Sequence, residues 1–256
     1  MRDAAESPNR RAGARTIDLD GALNCRDLGG LPTLDGRRVR RGRLYRSDSL
    51  HRASERDIET LHRLGVATII DLRDADEVAL NGRGRLALEP ITYVNRPLRF
   101  NPALDAATDE ASSPLVRRYR DYLDGSGGAF VAVFDLLAET TTYPAVINCF
   151  FGKDRTGVVV ALVLAALGVD RAAIVEDYAS SARPVASLIT RLTEDPVYAD
   201  ALARTDPRRL DAEPSTMVHF LEELDRRDGG PVPWLVGAGL DLTRLDQLRE
   251  LLLERG

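Results

Sequence analysis

Ile58, Leu61 and Leu64 recur at helical spacing over residues 54–64, a stretch that opens on Ser54-x-x-Asp57 and is followed by Gly65. A capping pair at one end and a residue tolerant of positive φ at the other predict a helix with defined start and stop. The period then changes. Residues 66–72 (VATIIDL) are short, β-branched and apolar and end in charge, as a buried strand does, and residues 91–98 and 145–149 read likewise. Helical stretches around 115–124 and 129–139 lie between these strands, so the alternation predicts an α/β sheet.

Residues 99–113 (RFNPALDAATDEASS) lack periodicity and read as an exposed loop, placed to flank a site. After Val169 no strand is expected. Met217, Leu221 and Leu224, then Leu245, Leu248 and Leu252, keep helical spacing, so the C-terminal third reads as helical. Pro184, Pro196, Pro207 and Pro214 cut that region into short pieces, which suits a helical lid over 170–215. The resulting organisation is a mobile tail over 1–15 and a single domain over 16–256, without internal repeats.

Composition narrows the setting. With 44% hydrophobic and 29% charged residues over 256 positions, and a net charge of −5, the chain reads as an ordinary globular protein with no reason to bind nucleic acid. The longest apolar run, residues 158–169, is too short to span a bilayer, so no stable membrane association is expected. The first fifteen residues lack the apolar core of a secretory signal, and the two cysteines, Cys25 and Cys149, form no disulfide framework; both features point to the cytoplasm. His51, His62 and His219 are scattered without ligand spacing, and neither a metal nor another cofactor is expected.

The chemistry is concentrated in Ala145-Val-Ile-Asn-Cys-Phe-Phe-Gly-Lys-Asp-Arg-Thr-Gly157, a strand ending at a cysteine followed by a helix beginning about Thr156. A helix N-terminus offers unpaired N–H groups and a positive dipole end, and successive loop N–H groups form a nest for an anion. Arg155 offers a planar fork for two phosphoryl oxygens, and Lys153 adds charge. Phe150, Phe151, Gly152 and Thr156 complete the candidate phosphate loop, with Gly152 allowing a tight turn. Cysteines at helix N-termini beside cations are held as thiolates, the form that attacks phosphorus in line to give a phosphocysteine that water then releases. A nucleotide-binding Walker loop is excluded, because Asp154 follows Lys153 and Ile stands at position 147.

Four segments, Asn24-Cys-Arg-Asp-Leu-Gly-Gly30, Leu44-Tyr-Arg-Ser-Asp48, Asp71-Leu-Arg73 and the run from Cys149 to Gly157, carry a family likeness. The sequence resembles the protein tyrosine phosphatase superfamily, and within it the bacterial tyrosine phosphatases that include secreted mycobacterial and listerial enzymes. The resemblance extends from about Leu23 to the final helix. It implies a parallel sheet of about four strands flanked by helices, a metal-free mechanism and a helical lid. Two positions depart from the family: Asn148 stands where His usually precedes the nucleophile and cannot carry its positive charge, and Cys25 replaces an aromatic residue. Cys25 reads either as a small buried residue or as a redox partner of Cys149.

An alkoxide leaving group needs a proton, and three sources are open. Asp154, inside the loop, is the acid that the resemblance favours, since no separate Trp-Pro-Asp motif is present. Asp71 ends a strand, where α/β sheets place functional groups, but it also suits an ion pair with Arg73 or Lys153. Asp105 and Asp109 sit on the predicted loop. Among Arg37, Arg38, Arg40, Arg41, Arg43 and Arg46, most read as a solvated hairpin and linker, and Arg46 is expected near the site. The substrate is then a phosphoprotein, phosphotyrosine-type by resemblance, or a phosphorylated small molecule such as a nucleoside phosphate, sugar phosphate or phosphoinositide. A non-catalytic phosphate-binding module is the alternative from another class.

Overall fold

The computed structural model of the protein describes residues 15–99 and 113–256. Residues 1–14 of the expected tail, and Asp105 and Asp109 of the expected loop, lie outside the described residues. Four parallel strands form the centre: β3 (Leu44–Ser47), β4 (Thr68–Asp71), β5 (Thr92–Asn95) and β6 (Ala145–Asn148), in the order β3-β6-β4-β5. The antiparallel strand β1 (Arg26–Asp27) caps the β3 edge. Side chains alternate across a strand. Tyr45, Ile69 and Val146 accordingly enter one core cluster, while Leu44, Ile70 and Ile147 enter the other.

The first cluster is covered by α1 (Glu55–Arg63), which buries Ile58 and Leu61. Its start is built as the sequence predicts: Ser54 accepts from the Asp57 N–H at 3.2 Å, and Asp57 accepts from the Ser54 N–H at 2.9 Å. After β4, α2 (Ala75–Asn81) opens on a second capping box made by Asp74 and Glu77. The two helices expected between β5 and β6 are one element, α3 (Pro114–Leu137), kinked at Ser126, where φ is −136° and ψ is 22°. The glycines around that residue disfavour regular helix without ending it, because tertiary packing on both sides outweighs their propensity.

The helix after the candidate loop, α4 (Asp154–Ala166), is buried on all sides from Thr156 to Leu164. A helix apolar around its whole circumference belongs in a core, and α4 lies in the larger cluster with α3. Next come α5 (Arg171–Ala179), α6 (Ala182–Thr193), α7 (Pro196–Ala203), α8 (Pro214–Asp228), α9 (Pro231–Gly237) and α10 (Leu242–Leu252). Pro196 and Pro214 start helices, where a missing N–H costs nothing. One expectation fails: a strand does follow Val169. β7 (Leu253–Arg255) pairs antiparallel with β2 (Arg37–Val39), since the chain end meets the free edge of that arginine-rich segment.

A buried carboxylate ties the N-terminal segments to the helices. Asp177 of α5, with no exposed surface, takes Arg15 at 2.8 Å, Arg26 at 3.0 Å and Arg46 at 2.6 Å. Arg15, expected in the mobile tail, is thus anchored. Burial alone would raise the Asp177 pKa, but Arg46 and Arg26 hold it well below the usual 3.8. A carboxylate so depressed contributes stability above the unfolded value and loses it as pH falls towards the folded one. Asp177→Asn is expected to cost about 3–5 kcal/mol in urea unfolding, the usual effect of stranding buried charge. Repeating the comparison in acid should narrow the difference between variant and wild type below pH 3.8.

Candidate active site

Ser47, Asn148, Asp71 and Asn95 share one register across the carboxyl ends of the parallel strands. Open α/β sheets place their sites beyond this edge. The chain leaves β6 at Cys149 and turns through residues 150–153 into α4. Its carbonyls are held from behind: Ser49 N–H donates to Phe150 O at 3.0 Å, Asn24 Nδ2 to Phe151 O at 3.1 Å, and Arg46 Nη2 to Gly152 O at 2.6 Å. None of the N–H groups of residues 150–153 has an acceptor among the described residues. Unpaired N–H groups in a loop running into a helix N-terminus are the donors that an oxyanion needs.

Gly152 makes this turn possible. Its φ is +64°, and a Cβ there would lie 2.5 Å from both Asp48 N and Ser47 O. Asn24 and Asp48 are themselves locked together, since Asp48 accepts from the Leu23 and Asn24 N–H groups at 3.1 and 2.9 Å. Burial pushes the Asp48 carboxyl up to about 6, against those bonds. Segments 24–30 and 44–48 therefore serve as the outer wall of the loop.

A cleft of about 690 Å³ opens over the loop, lined by Cys149, Phe150, Phe151, Lys153, Asp154 and Arg155 together with residues from α2, α3 and the 170–215 region. Arg155 is gripped by Glu77, with Nη2 to Oε1 at 2.8 Å and a second contact from Nη1 to Oε2. Burial opposes the Arg155 charge, but Glu77 and the nearby Cys149 raise its pKa well above the ordinary value. The grip fixes the plane of the guanidinium and leaves other N–H groups for an oxyanion. Asp154 lines the cleft, and its Oδ1 accepts from Tyr119 at 2.7 Å. Thr156 is fully buried with no partner on Oγ1, and it lies behind the loop rather than along the cleft.

A family model described as the tyrosine phosphatase family matches residues 17–254. The chain belongs to that family. It is 30% identical, over an alignment of 277 positions, to the triple specificity protein phosphatase PtpB of Mycobacterium tuberculosis, covering 92% of this chain and 98% of the relative. A tyrosine-protein phosphatase of Nostoc commune is 34% identical over 139 residues, 54% of this chain and 47% of the relative. Among the described residues of the phosphatase, no group of three or more His, Cys, Asp or Glu side chains is placed to hold a metal ion, and no helix is long and apolar enough to cross a membrane.

The contacts select among the readings left open for the other candidates. Asp71 does not line the cleft: it binds Arg73 at 2.7 Å and Tyr93 at 2.9 Å, and lines a small hollow with Asn148 and His51. Both Asp71 oxygens are taken by Arg73, and Tyr93 adds a further bond to Oδ2. Lys153 reaches the cleft wall, but its ammonium goes to the carbonyls of Arg209 at 2.6 Å and Asp211 at 2.8 Å. Arg46 stands behind the loop, and Arg37, Arg38, Arg40, Arg41 and Arg43 are absent from the cleft lining. Cys25 packs in the smaller cluster, where burial and the charge of Asp48 push its thiol up to about 12.

Glu77 and Tyr119 were not anticipated. Asp74-x-x-Glu77 is a capping-box signature and was legible as a helix start, but nothing local links it to Arg155. Gly152→Ala is expected to weaken tungstate binding by more than about tenfold, because the added methyl forces the loop off the strand ends and strains a left-handed backbone. Isothermal titration with tungstate measures it.

Proposed function

We propose that the phosphatase hydrolyses phosphate monoesters of the phosphotyrosine type through a phosphocysteine on Cys149, with Arg155 binding the phosphoryl group and Asp154 as the acid for the leaving group. One observation carries the reading: a cysteine, a clamped guanidinium and a carboxylate line a single cleft at a helix N-terminus. The sulfur attacks phosphorus while Arg155 and the loop N–H groups spread the developing charge. Asp154 gives its proton to the ester oxygen as the P–O bond breaks, then takes one from the water that frees the phosphate.

Phe150, edge-on to Phe151 and beside Tyr198, supplies an apolar wall suited to an aromatic leaving group. Residues 170–215 act as the lid, contributing Val185 and Leu202 to the cleft and latched to the loop by Lys153. Arg118, Arg204 and Arg209 at the cleft favour substrates with more than one negative group. Both cysteines are free thiols, which suits work in a reducing compartment.

Cys149→Ser should abolish turnover of an aryl phosphate while phosphate affinity stays within about threefold, since the loop donors remain. Near-wild-type turnover would remove Cys149 from the mechanism. Asp154→Asn should slow alkyl phosphates by about a hundredfold or more and p-nitrophenyl phosphate much less, because a good leaving group needs little protonation. A panel of phosphotyrosine peptides, phosphoinositides, nucleotides and sugar phosphates, compared by kcat/KM, identifies the substrate class. Selectivity for any class other than phosphotyrosine would overturn that part of the reading.

A further inference from the structure

Three helices meet behind Asp154. Tyr119 of α3 has no exposed surface, and its hydroxyl donates to Asp154 Oδ1 at 2.7 Å. The Tyr178 hydroxyl of α5 lies 2.7 Å from that of Tyr119. A phenol has one proton, so when Tyr119 donates to the carboxylate, Tyr178 must donate to Tyr119. The chain therefore has a direction, from Tyr178 through Tyr119 to Asp154. Burial, reinforced by the charge of Asp154, holds both phenols protonated.

The approach of Tyr178 depends on a residue of the loop helix. A Cβ at Gly157 would sit 3.1 Å from the Tyr178 ring, so the absent side chain admits the tyrosine. Lys153 adds a cation to the same carboxylate oxygen, with Nζ 3.2 Å from Asp154 Oδ1. Oδ2 has no partner among the described residues, and the side chain reaches the cleft. With a hydrogen bond from Tyr119 and the Lys153 cation both at Oδ1, a proton there is disfavoured and rides on Oδ2.

We propose that Tyr119, backed by Tyr178, is the positioning residue of the general acid, occupying Oδ1 with its hydrogen bond beside the Lys153 cation so that the transferable proton sits on Oδ2, facing the leaving group. This rests on the assignment of Asp154 as the acid. In the transfer, the Oδ2–H bond breaks and the proton joins the ester oxygen as the P–O bond cleaves and sulfur bonds to phosphorus. The carboxylate left behind is stabilised by the Tyr119 hydroxyl and Lys153. Neither phenol gives up a proton.

Tyr119→Phe keeps the ring and removes the donor. Expected are a fall of about tenfold in kcat for an alkyl phosphate, a change within about twofold for p-nitrophenyl phosphate, and little change in KM or tungstate affinity. Tyr178→Phe should show the same pattern more weakly. In an Asp154→Asn background Tyr119→Phe should add nothing, a non-additivity that a merely structural tyrosine would not show. Equal loss on both substrates, or full additivity with Asp154→Asn, would overturn the positioning role alone. If Asp154→Asn itself showed no leaving-group dependence, the acid assignment would fall and this role with it.

Discussion

Asp177 has no contact with water, and the cost of burying its charge is met only because three guanidinium groups converge on it. Those arginines come from the N-terminal segment, β1 and β3, so one carboxylate on α5 fastens three distant stretches to the helical layer. The consequence reaches the site, since Arg46 spends its other nitrogen on Gly152 O and Arg26 donates to Asn24 Oδ1, whose amide holds the neighbouring carbonyl. The shape of the phosphate loop is thus set by an ion cluster on its far side.

This arrangement divides the loop into two faces. Carbonyls of residues 150–152 are drawn outward by Ser49, Asn24 and Arg46, which leaves the N–H groups for the cleft. The turn after β4 does a parallel task. Asp71 and Arg73 lock it, Asp74 and Glu77 start α2 from it, and Glu77 is thereby presented to Arg155. The segment 71–77 is thus a frame that holds the Arg155 guanidinium in place.

The cleft carries both signs of charge, with Arg118, Arg204 and Arg209 set against Asp74, Glu77 and Asp206. Such a lining selects by placement of charge rather than by net attraction, which suits an acidic protein whose substrates are anions. Lys153 joins this wall to the loop through the carbonyls of Arg209 and Asp211. That single ammonium also lies 3.2 Å from Asp154 Oδ1, so one cation touches both the 209–211 segment and the loop carboxylate.

By itself the sequence determined the α/β alternation, the capped helix at about 54–64, the loop with Cys149 and Arg155, and the family, because each is written in local period, capping chemistry or fixed spacing. It left open the partner of Asp71, the target of Lys153, the fate of Arg46 and what holds Asp154. Those were decided by pairs such as Arg46 with Asp177, 131 positions apart, and Tyr119 with Asp154, 35 apart. Periodicity reports which face of an element is apolar, whereas a buried polar group takes whichever partner the packing of other elements brings within hydrogen-bond reach. The strand at 253–255 escaped notice for the same reason, since pairing with residues 37–39 depends on where the last helix delivers the chain.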